Sequence, residues 1–121
     1  MDLVSYCIEE GACEFIAELI VKKQLMFPYM TYGRLHEREL WEKFKGEMYG
    51  KEIKDWLYNR GSAPGGIQDL GYFMGYEICK SYYNNEKDKQ LATREIVELN
   101  YSDNNQVHEF FRKSGYAGKW Q

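Results

Sequence analysis

Apolar residues come in pairs at a fixed spacing near the start of this chain: Leu3/Val4, Cys7/Ile8, Gly11/Ala12, Phe15/Ile16 and Leu19/Ile20. A pair every four residues traces one face of an α-helix over about five turns, and it excludes a strand, whose side chains alternate with a period of two. Nowhere does strict alternation run beyond a few residues, so an all-α protein is expected. A chain of 121 residues has the size of one domain with one modest core. There is no internal repeat and no low-complexity tract to divide it. The expectation is a single helical domain over 1–121, a compact bundle of about five to six helices.

The breakers place those helices. The first ends before Phe27-Pro28, because the residue ahead of proline is pushed out of the α region. Lys22 and Lys23 fall in its last turn, where cations complement the helix dipole. MFPYMTYG reads as a loop. A second helix is expected from about Leu35 to Tyr49, with Leu35, Leu40, Trp41, Phe44 and Met48 as its apolar contacts and Gly50 as its stop. KEIKDWLYN reads as a short helix presenting Ile53, Trp56 and Leu57. NRGSAPGG, residues 59–66, is the clearest loop, dense in glycine, serine and proline. A helix over 67–83 follows, then one in DKQLATREIVEL with Leu91, Ile96, Val97 and Leu99. The last, DNNQVHEFFRKS, is expected to be capped by Ser102 and closed by Gly115.

The helix at 67–83 is the most informative. At 100° per residue Ile67, Leu70, Gly71, Met74, Gly75 and Ile78 share one face, and Tyr72, Tyr76, Cys79 and Tyr83 form a stripe on the other. Each interior glycine costs roughly 1 kcal/mol against alanine, so close approach of another helix is the expected compensation. That places this helix at the centre. The tyrosines read either as aromatic core with hydroxyls reaching water or as the lining of a cleft.

Composition narrows the function classes. Aromatics make up 17% of the residues, with eleven tyrosines, a side chain suited to half-wet clefts as well as cores. Net charge is only −3, with both signs interspersed, so the basic patch that nucleic-acid binding needs is missing. No apolar run approaches the roughly 20 residues of a membrane span. No basic stretch followed by an apolar segment marks a signal peptide, and the default compartment is the cytoplasm. Cys7, Cys13 and Cys79 are odd in number and lack CxxC spacing, which reads as reduced thiols rather than a disulfide framework or a zinc ribbon.

The first helix also carries a charge ridge, which taken alone reads as a solvated face. Glu10, Glu14 and Glu18 recur every four residues and form an acidic ridge beside the apolar face. Like charges at this spacing destabilise a helix by about 0.2–0.5 kcal/mol per pair. Basic residues from a neighbouring helix, plain solvation or a bound cation would each offset that.

The segment Glu10-Gly11-Ala12-Cys13-Glu14-Phe15 resembles the Glu-Gly-x-Ala-Glu-Phe/Tyr element of gluzincin metallopeptidases. In those enzymes an HExxH helix supplies two histidine ligands and a glutamate on a downstream helix supplies the third. Two imidazoles and one carboxylate leave a fourth tetrahedral position for a water that zinc acidifies. The glutamate within HExxH acts as general base. The LWEKF and WLYN segments, DLGYFMGYEICKSYYNNEKDKQLATREIVEL and the closing FFRKSGY are similar to the C-terminal half of a family of predicted zinc-dependent proteases long catalogued as a domain of unknown function. The resemblance runs from about residue 3 to residue 116. It implies the C-terminal helical subdomain of a zincin-like enzyme that hydrolyses peptide bonds in a peptide or protein substrate. Glu10 would be the third zinc ligand, and Gly11 would let two helices approach to ligand distance. Glu14 would orient a ligand or pair with a base. Tyr72 or Tyr76 would donate a hydroxyl to the oxyanion of the tetrahedral intermediate.

The chain departs from that family in one decisive respect: it contains no HExxH. His36-Glu37-Arg38-Glu39-Leu40 begins like the motif but has leucine where the second histidine must stand, so His36 reads as a surface or helix-start residue. His108 reads as an ordinary surface or packing residue of the last helix. One carboxylate does not hold zinc usefully, so the expectation is a C-terminal half or a degenerate relative, inactive and zinc-free on its own. Docking of the missing half, or self-association, is then expected at an exposed apolar face of the first helix. The alternative is a non-enzymatic helical module that takes a peptide or a partner protein in a tyrosine-lined groove.

Overall fold

Asp2 opens the first helix by accepting hydrogen bonds from the Ser5 amide at 3.0 Å and the Ser5 hydroxyl at 2.6 Å, which satisfies an N–H that a helix start leaves without a partner. The structure, a computed structural model, describes residues 1–24, 26–61, 63 and 66–121. Among them are six α-helices and no strand: α1 (Leu3–Val21), α2 (Pro28–Leu35), α3 (Glu37–Glu47), α4 (Leu70–Asn85), α5 (Lys89–Glu98) and α6 (Asn104–Ser114), with a terminal 3₁₀ turn (Tyr116–Trp120). This is the expected all-α bundle. No described helix is long and apolar enough to cross a membrane.

Helix α4 is the central element. Leu70, Phe73, Met74, Tyr76, Ile78, Cys79 and Tyr82 are all buried, and α1, α2, α5, α6 and the terminal turn all pack against it. Its most extensive partner is α1. The two helices cross where both lack side chains: a Cβ on Gly11 would stand 2.1 Å from the Tyr76 backbone nitrogen, and one on Gly75 only 1.7 Å from the Cys7 carbonyl oxygen. The close approach expected of Gly11 and Gly75 is thus backbone against backbone. Gly33 does the same for α2, where a Cβ would meet the Phe73 ring at 2.3 Å.

Several boundaries differ from expectation. MFPYMTYG is not a loop beyond Phe27, because α2 begins at Pro28. Proline at the first helical position loses nothing by lacking an N–H, and its φ is already helical. The single helix expected over 35–49 is split, since His36 leaves helical geometry (φ −125°, ψ 23°) between α2 and α3, and α3 ends at Glu47. KEIKDWLYN makes turns rather than a helix; Trp56 and Leu57 both donate to the Ile53 carbonyl at 2.9 Å and both are buried. Helix α4 starts at Leu70, not 67, because Asp69 is in the left-handed region (φ 61°). Lys22 is likewise left-handed (φ 60°) and closes α1 from outside its last turn. Asp103 rather than Ser102 caps α6, accepting from the amides of Asn105 and Gln106. Gly115 closes it at φ 70°, as expected. The loop at 59–66 lies partly outside the described residues.

Cys7, Cys13 and Cys79 are free thiols, the first and last of them buried. Burial pushes both of those well above the ordinary thiol value, so neither is a poised thiolate.

Candidate functional site

The acidic ridge of α1 meets a row of tyrosines. Tyr58, in the turn after Leu57, donates its hydroxyl to Glu10 at 2.8 Å. Tyr29 of α2 donates to Glu14 at 3.0 Å, and Tyr76 of α4 donates to Glu18 at 2.6 Å. Tyr72, one turn before Tyr76, lies near enough to Glu10 for that carboxylate to raise its phenol. Each carboxylate of the ridge therefore has a phenol from a different part of the chain. A hydrogen bond to an ionised acceptor contributes about 1.5–3 kcal/mol where it is sheltered, well above the about 0.2–0.5 kcal/mol of like-charge repulsion. Neither a lysine nor a cation is needed to account for the ridge. Sequence reasoning missed this answer, and the signal it had was the excess of tyrosine.

The phenols respond in a consistent way. Desolvation, then the hydrogen bond to Glu10, pushes Tyr58 up to about 12. Desolvation and the respective carboxylates, Glu10, Glu14 and Glu18, push Tyr72, Tyr29 and Tyr76 higher still. The guanidinium of Arg34 beside Tyr76 pulls the other way and is outweighed. All four keep their protons through the ordinary pH range, and Tyr58, Tyr29 and Tyr76 direct theirs at a carboxylate.

The two tyrosines singled out from sequence differ in setting. Tyr76 is fully buried, edge-on to Phe15 with ring centroids 5.8 Å apart. Tyr72 is half-buried and belongs to an aromatic row: its ring lies 5.4 Å from that of Tyr29, which stacks on Phe27 at 5.5 Å. Phe27 and Tyr58 are 44% and 61% exposed, so the row opens to solvent. Ile20, Val21 and Met26, next to it in the chain, are also exposed. The face is apolar at its outer edge and acidic along α1.

Because the Tyr76–Glu18 pair is the sheltered one, Tyr76→Phe is expected to destabilise the fold by about 1–3 kcal/mol, leaving a carboxylate without its donor. Tyr58→Phe, at the exposed end, is expected to stay within about 0.5 kcal/mol. Urea denaturation of the two variants compares them. Equal losses would mean that the ridge is held by something other than its phenols.

Neither histidine joins Glu10. His108 Nε2 lies 2.6 Å from Asp2 Oδ2, and Asp2 precedes Glu10 by eight residues, about 12 Å along the helix. His36 stacks on Tyr32 with centroids 4.2 Å apart and stands 3.6 Å from Glu39, at the helix start where its sequence placed it. Among the described residues no group of three or more His, Cys, Asp or Glu side chains is arranged to hold a metal ion. Zinc takes thiolate, imidazole and carboxylate ligands, whereas the groups gathered at Glu10 are phenols. That donor set, as it stands, does not fit zinc. Compared with known proteins, the chain matches no family model, no curated protein and no solved structure.

Proposed function

We propose that the chain is a helical binding module whose working surface is the tyrosine–carboxylate face of α1, α2 and α4, and that it takes a basic segment of a partner protein or peptide. The observation that supports this is the aromatic row of exposed Phe27 and half-buried Tyr29 and Tyr72 beside Glu10 and Glu14. The phenols hold the carboxylates in place through their hydroxyls, and Tyr58 and Phe27 remain exposed beside them. Rigid aromatic surface costs little entropy to bind, and Tyr is enriched where interfaces carry their energy. Carboxylates along the same face select lysine or arginine in the partner and steer its approach. Selection from a displayed peptide library is expected to enrich sequences that combine Lys or Arg with an apolar or aromatic residue. Phe27→Ala with Tyr58→Ala is expected to weaken binding about tenfold or more, and Glu14→Gln to reduce its salt dependence. Enrichment that survives both changes would move the working surface elsewhere.

A second reading keeps the resemblance to zinc peptidases. It is favoured by Gly11, which follows Glu10 and brings α1 against the backbone of α4. In that reading Glu10 is the third ligand, held by Tyr58, and the imidazoles come from another polypeptide segment that packs on this face. Zinc titration of a form extended by that segment separates the two readings. Tight zinc binding lost in Glu10→Gln favours the peptidase.

A further inference from the structure

The end of α1 carries apolar side chains that the fold does not use. Phe15 is the last buried residue of that helix, yet α1 continues to Val21. The six residues beyond Phe15 add about 9 Å of helix. Ile16 and Leu19 reach the edge of the core, but Ile20 is 75% exposed and Val21 56%. Met26, just ahead of α2, is 70% exposed. The apolar pairing of the helix therefore runs on past the body of the molecule.

Two cations lie among these side chains. Lys22 closes α1 and Lys23 follows it; both are exposed, and among the described residues neither makes an ion pair. The nearest carboxylates of α1, Glu18 and Glu14, precede Lys22 by about 6 and 12 Å along the axis. Both are taken up, Glu18 by the Tyr76 hydroxyl and Glu14 by that of Tyr29. The tip is basic and apolar together, while the acidic ridge runs back from it toward the start of the helix. A lysine stem lies along apolar surface while its ammonium reaches a polar layer. Exposed apolar side chains with unpaired lysines beside them match the two layers of an anionic lipid surface, charged headgroups above acyl chains. A second copy fits less well. A stable interface takes about 800 Å² from each partner, more than three apolar side chains at a helix end present. A twofold axis through this tip would also set the lysines of the two copies against one another.

We infer that this end of α1 docks on an anionic lipid surface, with Ile20, Val21 and Met26 entering the boundary between headgroups and acyl chains and Lys22 and Lys23 on the anionic headgroups. Contact of this kind is peripheral and reversible. It uses none of the residues through which the tyrosine–carboxylate face is proposed to take a peptide, so either can fail without the other.

Co-sedimentation of the full chain with vesicles tests this, comparing phosphatidylcholine alone with phosphatidylcholine containing phosphatidylserine at physiological salt. Binding is expected to the mixed vesicles, and about tenfold or more weaker to phosphatidylcholine alone. Lys22→Gln with Lys23→Gln is expected to lose about tenfold or more on the mixed vesicles, since each lysine near an anionic surface contributes about fivefold. Ile20→Ser with Met26→Ser is expected to lose as much at unchanged helix content, because neither side chain belongs to the core. Leu35→Ser is the control: it is 77% exposed at the far end of α2 and is expected to bind as the wild type does. No binding to the mixed vesicles, or binding that survives the lysine pair or the apolar pair of substitutions, overturns the assignment. So does a dimer, seen by sedimentation equilibrium without lipid, that Ile20→Ser with Met26→Ser dissolves.

Discussion

Replacing Gly75 with alanine is expected to leave the chain largely unfolded under conditions in which the wild type is stable. The added Cβ would stand 1.7 Å from the Cys7 carbonyl oxygen and 2.4 Å from its carbon. These are backbone atoms of α1, so no side-chain rotation relieves the clash, and the whole helix has to move off α4. Ordinary overpacking costs about 1–3 kcal/mol because side chains and backbone share the adjustment. Here only a helix shift is available, and it would open the largest interface of the molecule. A loss of roughly 4 kcal/mol or more is expected, a large part of the about 5–15 kcal/mol by which domains are stable. Gly11→Ala acts on the same crossing from the other side, 2.1 Å from the Tyr76 nitrogen. Gly46→Ala is the control: it lies in α3 with nothing within 4 Å of its Cβ, and is expected to stabilise by about 0.5–1 kcal/mol. Circular dichroism and urea midpoints read all three. A Gly75→Ala variant within about 1 kcal/mol of wild type would mean that the crossing is looser than described.

A close helix approach at the α4 glycines was legible in the sequence, though not that α1 makes it, because it rests on two local regularities. Paired apolar residues fixed the face of α1, and glycines four apart in a tyrosine-bearing helix had no better explanation than close approach. The errors fell where a local signal has two meanings. Proline at 28 was read as the terminator of the helix before it, but α1 already ends at Val21, closed by left-handed Lys22, and Pro28 instead initiates the helix after it. KEIKDWLYN has helical spacing of Ile53, Trp56 and Leu57, yet one turn suffices to bury Trp56 and Leu57, and Tyr58 at φ 54° ends it. The acidic ridge was the least legible feature. Its spacing was plain, but its partners come from 15, 48 and 58 positions away in the chain. No periodicity within a helix reports which distant hydroxyl will meet which carboxylate. The same holds for His108, read as an ordinary surface or packing residue, whose partner Asp2 is 106 positions distant.

That last pair should produce the second large effect. Asp2→Ala is expected to cost about 3 kcal/mol at neutral pH, because one carboxylate makes several connections at once. It caps α1 through the Ser5 amide, a contribution of about 1 kcal/mol. It also accepts from the Ser5 hydroxyl and lies against His108 Nε2, each at 2.6 Å, while being only 3% exposed. Removing one member of a sheltered pair costs more than the pair itself contributes, since the other member loses its compensation. Part of the loss is recovered, because the Ser5 hydroxyl also has Asn104 Oδ1 at 3.3 Å. The effect carries a pH signature with a definite sign. Burial alone would raise the Asp2 carboxyl, but hydrogen bonds from the Ser5 hydroxyl, His108 and the Ser5 amide outweigh it and hold it below its ordinary value. The folded state therefore binds this proton less readily than the unfolded chain. The stabilisation is complete above about pH 4 and is lost as the pH falls through the lower folded value. The gap between wild type and Asp2→Asn should accordingly close on acidification. A gap that stays constant to pH 2 would mean that the carboxylate acts by shape alone. A double-mutant cycle with His108→Gln then isolates the link between α1 and α6, expected at about 1–3 kcal/mol. Additivity in that cycle would reduce His108 to the packing residue it resembled in the sequence. Coupling would make it the tie that holds the last helix to the start of the first.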